Sequence, residues 1–185
     1  GQTHHRDGFA VGLGDGDAGR VTCGAGRDRE FGVVRVKFHR DAKPRIFSEL
    51  VDIGSGRITG MEALLRWNHP DLGIVAPMQF IPVAEETGII IPIGRWVIEQ
   101  SCKVLREWQK KYNYAIPIAI NVASQQFADA SLVPDIKQMA LRYQIQPELL
   151  EIEITETSLM NDIELAIAKL EQLKSAGFGI AVDDF

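Results

Sequence analysis

Cysteine is almost missing from this 185-residue chain. There are two, Cys23 and Cys102, far apart and without metal-ligand spacing, so they read as reduced thiols. Histidine is scarce too, at four residues. His4-His5 stand together with no further ligand nearby, which makes them incidental or a cloning remnant rather than a metal site. No window reaches about 18 consecutive apolar residues, so no transmembrane helix is expected. Nor does the N-terminus show the basic start and apolar stretch of a signal peptide. The expected compartment is the cytoplasm, and a membrane-anchored parent protein is compatible with that. Positive charge is short as well, with a net charge of −5. Residues 1–46 carry a balance of +3 and residues 47–185 a balance of −8. An acidic body argues against broad nucleic-acid binding, which needs many phosphate-neutralising cations. It leaves room for a small phosphate ligand held by a metal and one or two arginines.

What is present divides the chain in two. Residues 1–46 form an unassigned leader. Nine of the 17 glycines fall in its first 32 residues, and no period runs from Gly1 to Arg29, so it reads as linker or disorder. Phe31 to Phe38 is a candidate strand within it. From about residue 47 the pattern becomes regular, in a chain whose 45% hydrophobic content suffices for one core. Ile46–Ile53 and Arg57–Trp67 read as strands joined by the three-residue turn Gly54-Ser55-Gly56, hence an antiparallel hairpin. Helices are expected over Met78–Thr87, Ile93–Tyr112, Leu132–Tyr143 and Asp162–Ala176, with glycine stops at Gly88 and Gly177. Strands are expected over Ile116–Val122, Leu149–Ile154 and Phe178–Val182. Strands alternating with helices indicate an α/β fold with a largely parallel sheet. Such folds place functional groups at the C-terminal ends of their strands.

Oxygen-bearing residues mark several of those ends. Glu62 and Arg66 lie four apart on one expected strand and so share a face. Buried there, each needs a partner: a metal and a phosphate, or each other as an internal ion pair. Glu151, Glu153 and Thr155 share a face of another strand, a pattern that a half-solvated strand also explains. Asn121 follows the apolar run Ile116–Ile120. Asp183-Asp184 closes the run Phe178–Val182, and two adjacent like charges favour a cation over a turn or a cap. Hard oxygen donors without a Cys or His cluster suit Mg²⁺ or Mn²⁺. Such ions serve phosphate chemistry, one lowering the pKa of a bound water and a second stabilising the leaving oxygen.

The motif Glu62-Ala63-Leu64-Leu65-Arg66-Trp67 resembles the signature of EAL domains, the cyclic di-GMP phosphodiesterases of bacteria. The likeness extends in order through Gly56-Arg57-Ile58-Thr59-Gly60-Met61, Asn68-His69-Pro70 and Pro77 to Gly88. It continues through Ile120-Asn121-Val122-Ala123 and Glu153-Ile154-Thr155-Glu156 to Asp183-Asp184-Phe185. The resemblance implies a TIM-type (β/α)₈ barrel with an antiparallel first strand, incomplete in this chain. It implies that Glu62, Asn121, Glu153 and Asp183 ligate divalent metal. Asp184 then helps hold the second ion and the attacking water of a two-metal site, with Mg²⁺ or Mn²⁺ as the ions. Arg66 would contact a substrate phosphate, and Glu62, Asp183 and Asp184 would form the catalytic core. The implied reaction is hydrolysis of cyclic di-GMP to linear pGpG. The implied partners are cyclic di-GMP, a homodimer, and a sensor or cyclase domain fused in the parent protein.

Two departures qualify that picture. Where the family has a Tyr-Gln-Pro-Ile-like segment, this chain has Phe47-Ser48-Glu49-Leu50, with Ser48 at the position of a substrate-placing glutamine. The family also continues past Asp183-Asp184-Phe185 into a Gly-Thr-Gly loop, a catalytic lysine, a further metal-ligating glutamate and a late glutamine. The expectation is a fragment with a frame change near residues 45–48. Resequencing the locus checks this, and an unbroken frame with a natural stop would refute it. An open sheet edge would make the fragment prone to association, and its activity is expected to be lost because a partial site cannot align water and phosphate. The rival reading is a non-catalytic cyclic di-GMP-binding or protein-interaction module. A third is a pure interaction domain joined to a sensor or a diguanylate cyclase domain, the latter on a faint likeness of Arg6 to Val11 to the cyclase signature.

Overall fold

In the stretch Leu150–Thr155 every second side chain is buried and the others are half-buried, the period of a strand with two different faces. The computed structural model describes residues 20–21, 31–32, 47–54, 57–69, 72–113 and 115–183. Strands are β1 (Arg20–Val21), β2 (Phe31–Gly32), β3 (Phe47–Val51), β4 (Ile58–Ala63), β5 (Trp67–His69), β6 (Gly73–Val75), β7 (Ile118–Val122), β8 (Leu150–Thr155) and β9 (Gly179–Asp183). Helices are α1 (Pro77–Glu86), α2 (Ile90–Tyr112), α3 (Ser124–Ala128), α4 (Leu132–Tyr143), α5 (Glu156–Met160) and α6 (Ile163–Ser175). The expected linker or disorder of the leader falls largely outside the described residues. Of the strand expected over Phe31–Phe38 only β2 is described, paired antiparallel with β1.

Five strands make the main sheet in the order β3-β4-β7-β8-β9. β3 and β4 run antiparallel, and β4, β7, β8 and β9 run parallel, as expected of α/β alternation. The short helices α3 and α5 were not expected, and three details of the strands also differ from expectation. The link between β3 and β4 is residues 52–57 rather than three residues, closed by Asp52 N–H donating to Arg57 O at 2.9 Å. The second strand stops at Ala63 instead of Trp67. Leu65 is drawn away to pack on Ala84, Ile89, Ile90 and Ile93, while Trp67 sits edge-on to Phe80 at 5.9 Å. Finally, β5 and β6 form a small hairpin in what reads as a Pro-rich loop.

The helices cover one face of the sheet. Ile118, Ile120, Val122, Leu150, Ile152 and Ile154 are buried with Cys102 and Leu105 of α2, Ile136 of α4 and Leu173 of α6. α6 ends where its glycine stop predicts. Gly177 has φ +91°, its N–H donates to Lys174 O, and Phe178 N–H donates to Leu173 O, a Schellman closure that starts β9.

A polar seam joins α2 to α4. The Tyr143 hydroxyl donates to Glu99 Oε1 at 2.6 Å, with Lys103 Nζ at 3.3 Å and Arg142 Nη1 at 3.9 Å from the same oxygen. Burial pushes the Glu99 carboxyl up, but the hydroxyl and the two cations together outweigh it and hold the group below its ordinary value. Burial first, and then Glu99, push Tyr143 up to about 12. The same two causes push the buried Cys102 thiol up to about 12, which keeps it inert. Tyr143→Phe is expected to cost about 1.5–3 kcal/mol, the range for a hydrogen bond to a charged group. Glu99 titrates lower in the folded state, so its contribution is present above its ordinary 4.5 and is lost as pH falls through the folded value. Tyr143 titrates higher, so its contribution is present below its ordinary 10.0 and is lost as pH rises towards about 12. Urea unfolding of both proteins across pH checks this. The variant should show a shallower alkaline decline, with the part due to the buried Cys102 thiol remaining, and a shallower acid one; superimposable pH profiles would refute the seam's role.

Candidate functional site

Strand register decides which residues meet. Laterally paired residues in a sheet share a face, and every second residue along a strand returns to it. Glu62 is level with Ala119, and Asn121 lies two residues further along β7. Asn121 is level with Glu153. Glu153 is level with Ala181, and Asp183 lies two residues beyond it in β9. The backbone positions of Glu62, Asn121, Glu153 and Asp183 therefore share the face opposite the helices, towards the C-terminal ends of four adjacent parallel strands. β3 adds Ser48, level with Glu62. One layer lower lies Glu151, level with Gly179. A Cβ on Gly179 would come within 3.2 Å of Glu151 Cα, so glycine there permits the close approach.

Two of the site side chains touch directly. Asn121 Nδ2 donates to Glu62 Oε1 at 2.7 Å. This fixes the orientation of the amide: with its nitrogen turned to Glu62, its oxygen is directed away from that carboxylate. Asn121 is exposed although Ile120 and Val122 on either side are buried. Glu62 and Glu153 are half-buried. Two carboxylates and an amide oxygen on one face are a donor set suited to a hard cation. Among the described residues no three His, Cys, Asp or Glu side chains form a cation cluster. The side chain of Asp183 and the whole of Asp184 lie outside the described residues.

Arg66 is placed differently from expectation. Because β4 ends at Ala63, the four-residue spacing from Glu62 no longer puts both on one strand face. Arg66 Nη1 donates to Leu65 O at 2.9 Å, within the segment that leads from β4 to β5.

The loops beyond the strand ends hold residues that the sequence reading passed over. Buried Gln126 accepts from Ala123 N–H through Oε1 at 3.0 Å, half of a capping box at the start of α3. Its side chain occupies the space over Gly94 of α2, where a Cβ would fall 1.3 Å from Nε2. Lys169 of α6, also buried, donates to Phe127 O and, at 2.8 Å, to Asp129 O, closing the other end of α3. Burial lowers its ammonium pKa, and Asp129 opposes that shift. Ser124, Ser158 and Thr155 link α3 to α5. Thr155 is of a residue type favoured as an N-cap, and that much was available in the sequence. The bond to Ser124, 34 residues away, was not.

The stretch that builds this sheet matches a known domain class. The EAL domain model matches residues 47–185, and the chain belongs to the EAL domain family. Over 131 residues it is 42% identical to the bifunctional diguanylate cyclase/cyclic di-GMP phosphodiesterase MucR of Pseudomonas aeruginosa, covering 71% of this chain and 19% of that protein. Over 130 residues it is 33% identical to the cyclic di-GMP phosphodiesterase PdeR of Escherichia coli K12, covering 70% of this chain and 20% of that one. The structure of the PaMucR phosphodiesterase in its c-di-GMP complex superposes with a TM-score of 0.72 at 40% identity, covering 75% of this chain and 56% of that one. The chain thus spans about a fifth of the length of these curated relatives.

Proposed function

We propose that residues 47–185 supply the first part of a metal-dependent phosphodiesterase that opens cyclic di-GMP to linear pGpG. The observation that carries this reading is the common face of Glu62, Asn121, Glu153 and Asp183 in a chain of the EAL family. Their offsets of two, zero and two residues across three strand steps average a little over one per strand. That is close to the stagger of an eight-stranded barrel of shear 8, so the sheet is read as the start of a (β/α)₈ barrel with β3 as its antiparallel first strand.

In this reading Glu62, Asn121, Glu153 and Asp183 hold divalent metal, Mg²⁺ or Mn²⁺, and Asp184 serves a second ion. Bound metal supplies an acidified water and charge stabilisation at phosphate oxygens. The residues of the chain do the positioning. Asn121 Nδ2 anchors the Glu62 carboxylate, Arg66 offers the rest of its guanidinium fork to a substrate phosphate, and Glu153 completes the row. The leader is a separate segment, the domain is cytoplasmic, and a cyclase domain in the parent protein would parallel the bifunctional MucR.

The test is pGpG release from cyclic di-GMP, with Mg²⁺ or Mn²⁺, by the chain extended to a complete family barrel. Release that stops with chelator and returns with metal is the expected result. Tight binding without turnover would replace the enzyme reading with a receptor one.

A further inference from the structure

Two hydroxyl links join the loops that follow Asn121 and Glu153. Ser124 opens α3, three residues after Asn121. Thr155 ends β8, two residues after Glu153 and level with Asp183. Between them sits Ser158 of α5, 4% exposed. Its Oγ lies 2.8 Å from Ser124 Oγ and 2.8 Å from Thr155 Oγ1, and its N–H also donates to Thr155 Oγ1 at 3.4 Å. The links close a ring. At one end Asn121 and Glu153 are paired through the strand register, and at the other the two following loops are bridged by Ser158.

Buried hydroxyls are bonded because an unbonded one carries a desolvation cost. A serine inside a helix commonly satisfies itself on the carbonyl one turn back. Ser158 instead reaches across to α3, so its bond constrains a relation between two loops rather than one helix. Gln126 and Lys169 hold the two ends of α3, which leaves Ser124 little freedom to follow if α5 moves.

We propose that Ser158, with Thr155 and Ser124, is a positioning device that sets the separation and orientation of Asn121 and Glu153. The inference rests on the reading of those two residues as neighbouring metal ligands. A metal site whose ligands are held by outer hydrogen bonds typically loses 10–100-fold in affinity when such a bond is removed.

The test uses the ¹⁵N-labelled chain extended to a complete family barrel. The side-chain amide signals of Asn121 are assigned by their loss in Asn121→Ala. Ser158→Ala and Ser124→Ala should each shift those signals and speed their exchange with solvent, and Ser124→Thr should restore them. Mn²⁺ affinity, read by the electron paramagnetic resonance of free ion, should fall about tenfold in the two alanine variants. Glu153→Gln is the control for the site itself. If Ser158→Ala disrupts the fold, the half-buried Ser124 variants decide alone. Unchanged Asn121 signals in a folded alanine variant would overturn the positioning role. Equal Mn²⁺ binding by the parent chain and Glu153→Gln would overturn the site reading instead, and the amide signals would still judge the ring.

Discussion

In the chain extended to a complete barrel, and on the proposed function, Glu62→Gln is expected to cut pGpG release by at least about a hundredfold, in the range found when one transition-state contact or metal-supporting group is removed. The fold should hardly register the change. Glutamine is nearly isosteric, and its amide oxygen still accepts from Asn121 Nδ2, the 2.7 Å bond that holds this pair together. What disappears is the negative charge on a half-buried strand end, which a hard cation requires. Activity and thermal unfolding are therefore expected to separate, with a large loss in the first and little movement in the second. Activity within threefold of the parent would remove Glu62 from the proposed metal site. A matching collapse of stability would make it a structural residue.

The second large effect lies one residue from a site strand's polar face. Ile152→Ala should destabilise the domain by about 2–5 kcal/mol, through lost transfer energy and the cavity left behind. Ile152 is fully buried in the middle of β8, level with Ile120 and Ile180, under the covering helices. Against a usual domain stability of about 5–15 kcal/mol, that is a substantial fraction. Glu151→Ala, on the opposite and half-buried face, should cost clearly less, about 1 kcal/mol, the centre of the range for single substitutions. Urea denaturation of the two variants measures the contrast directly. Similar losses from both would mean that the face carrying Glu151 and Glu153 is as densely packed as the helix side.

The two-faced character of β8 was legible from its alternation alone. So was α4, expected and observed over Leu132–Tyr143, because an amphipathic period and first-turn Pro134 agree. The stop of α6 was legible because only glycine adopts φ +91° readily. The hairpin of β5 and β6 was not, since strands of three residues give too short an alternation to distinguish from a loop. The early end of β4 was hidden for another reason. Leu64 and Leu65 continue a strand-like apolar run, and only the cluster formed by Ala84, Ile89, Ile90 and Ile93 draws Leu65 away from the sheet. That departure is also why parity along a single strand misplaced Arg66.

The local order of elements, their caps and the chemical type of each donor are written in consecutive residues, because periodicity, capping and charge act over a few positions. The bond from Asn121 to Glu62, across 59 residues, and the hydroxyl bridge from Ser124 through Ser158 to Thr155 depend on strand register and on how α3 meets α5. Those are long-range choices made by burying the isoleucines of β7 and β8 under the helices. Sequence singled out Glu62, Asn121 and Glu153, and packing of the opposite face decided that their strand positions stand side by side.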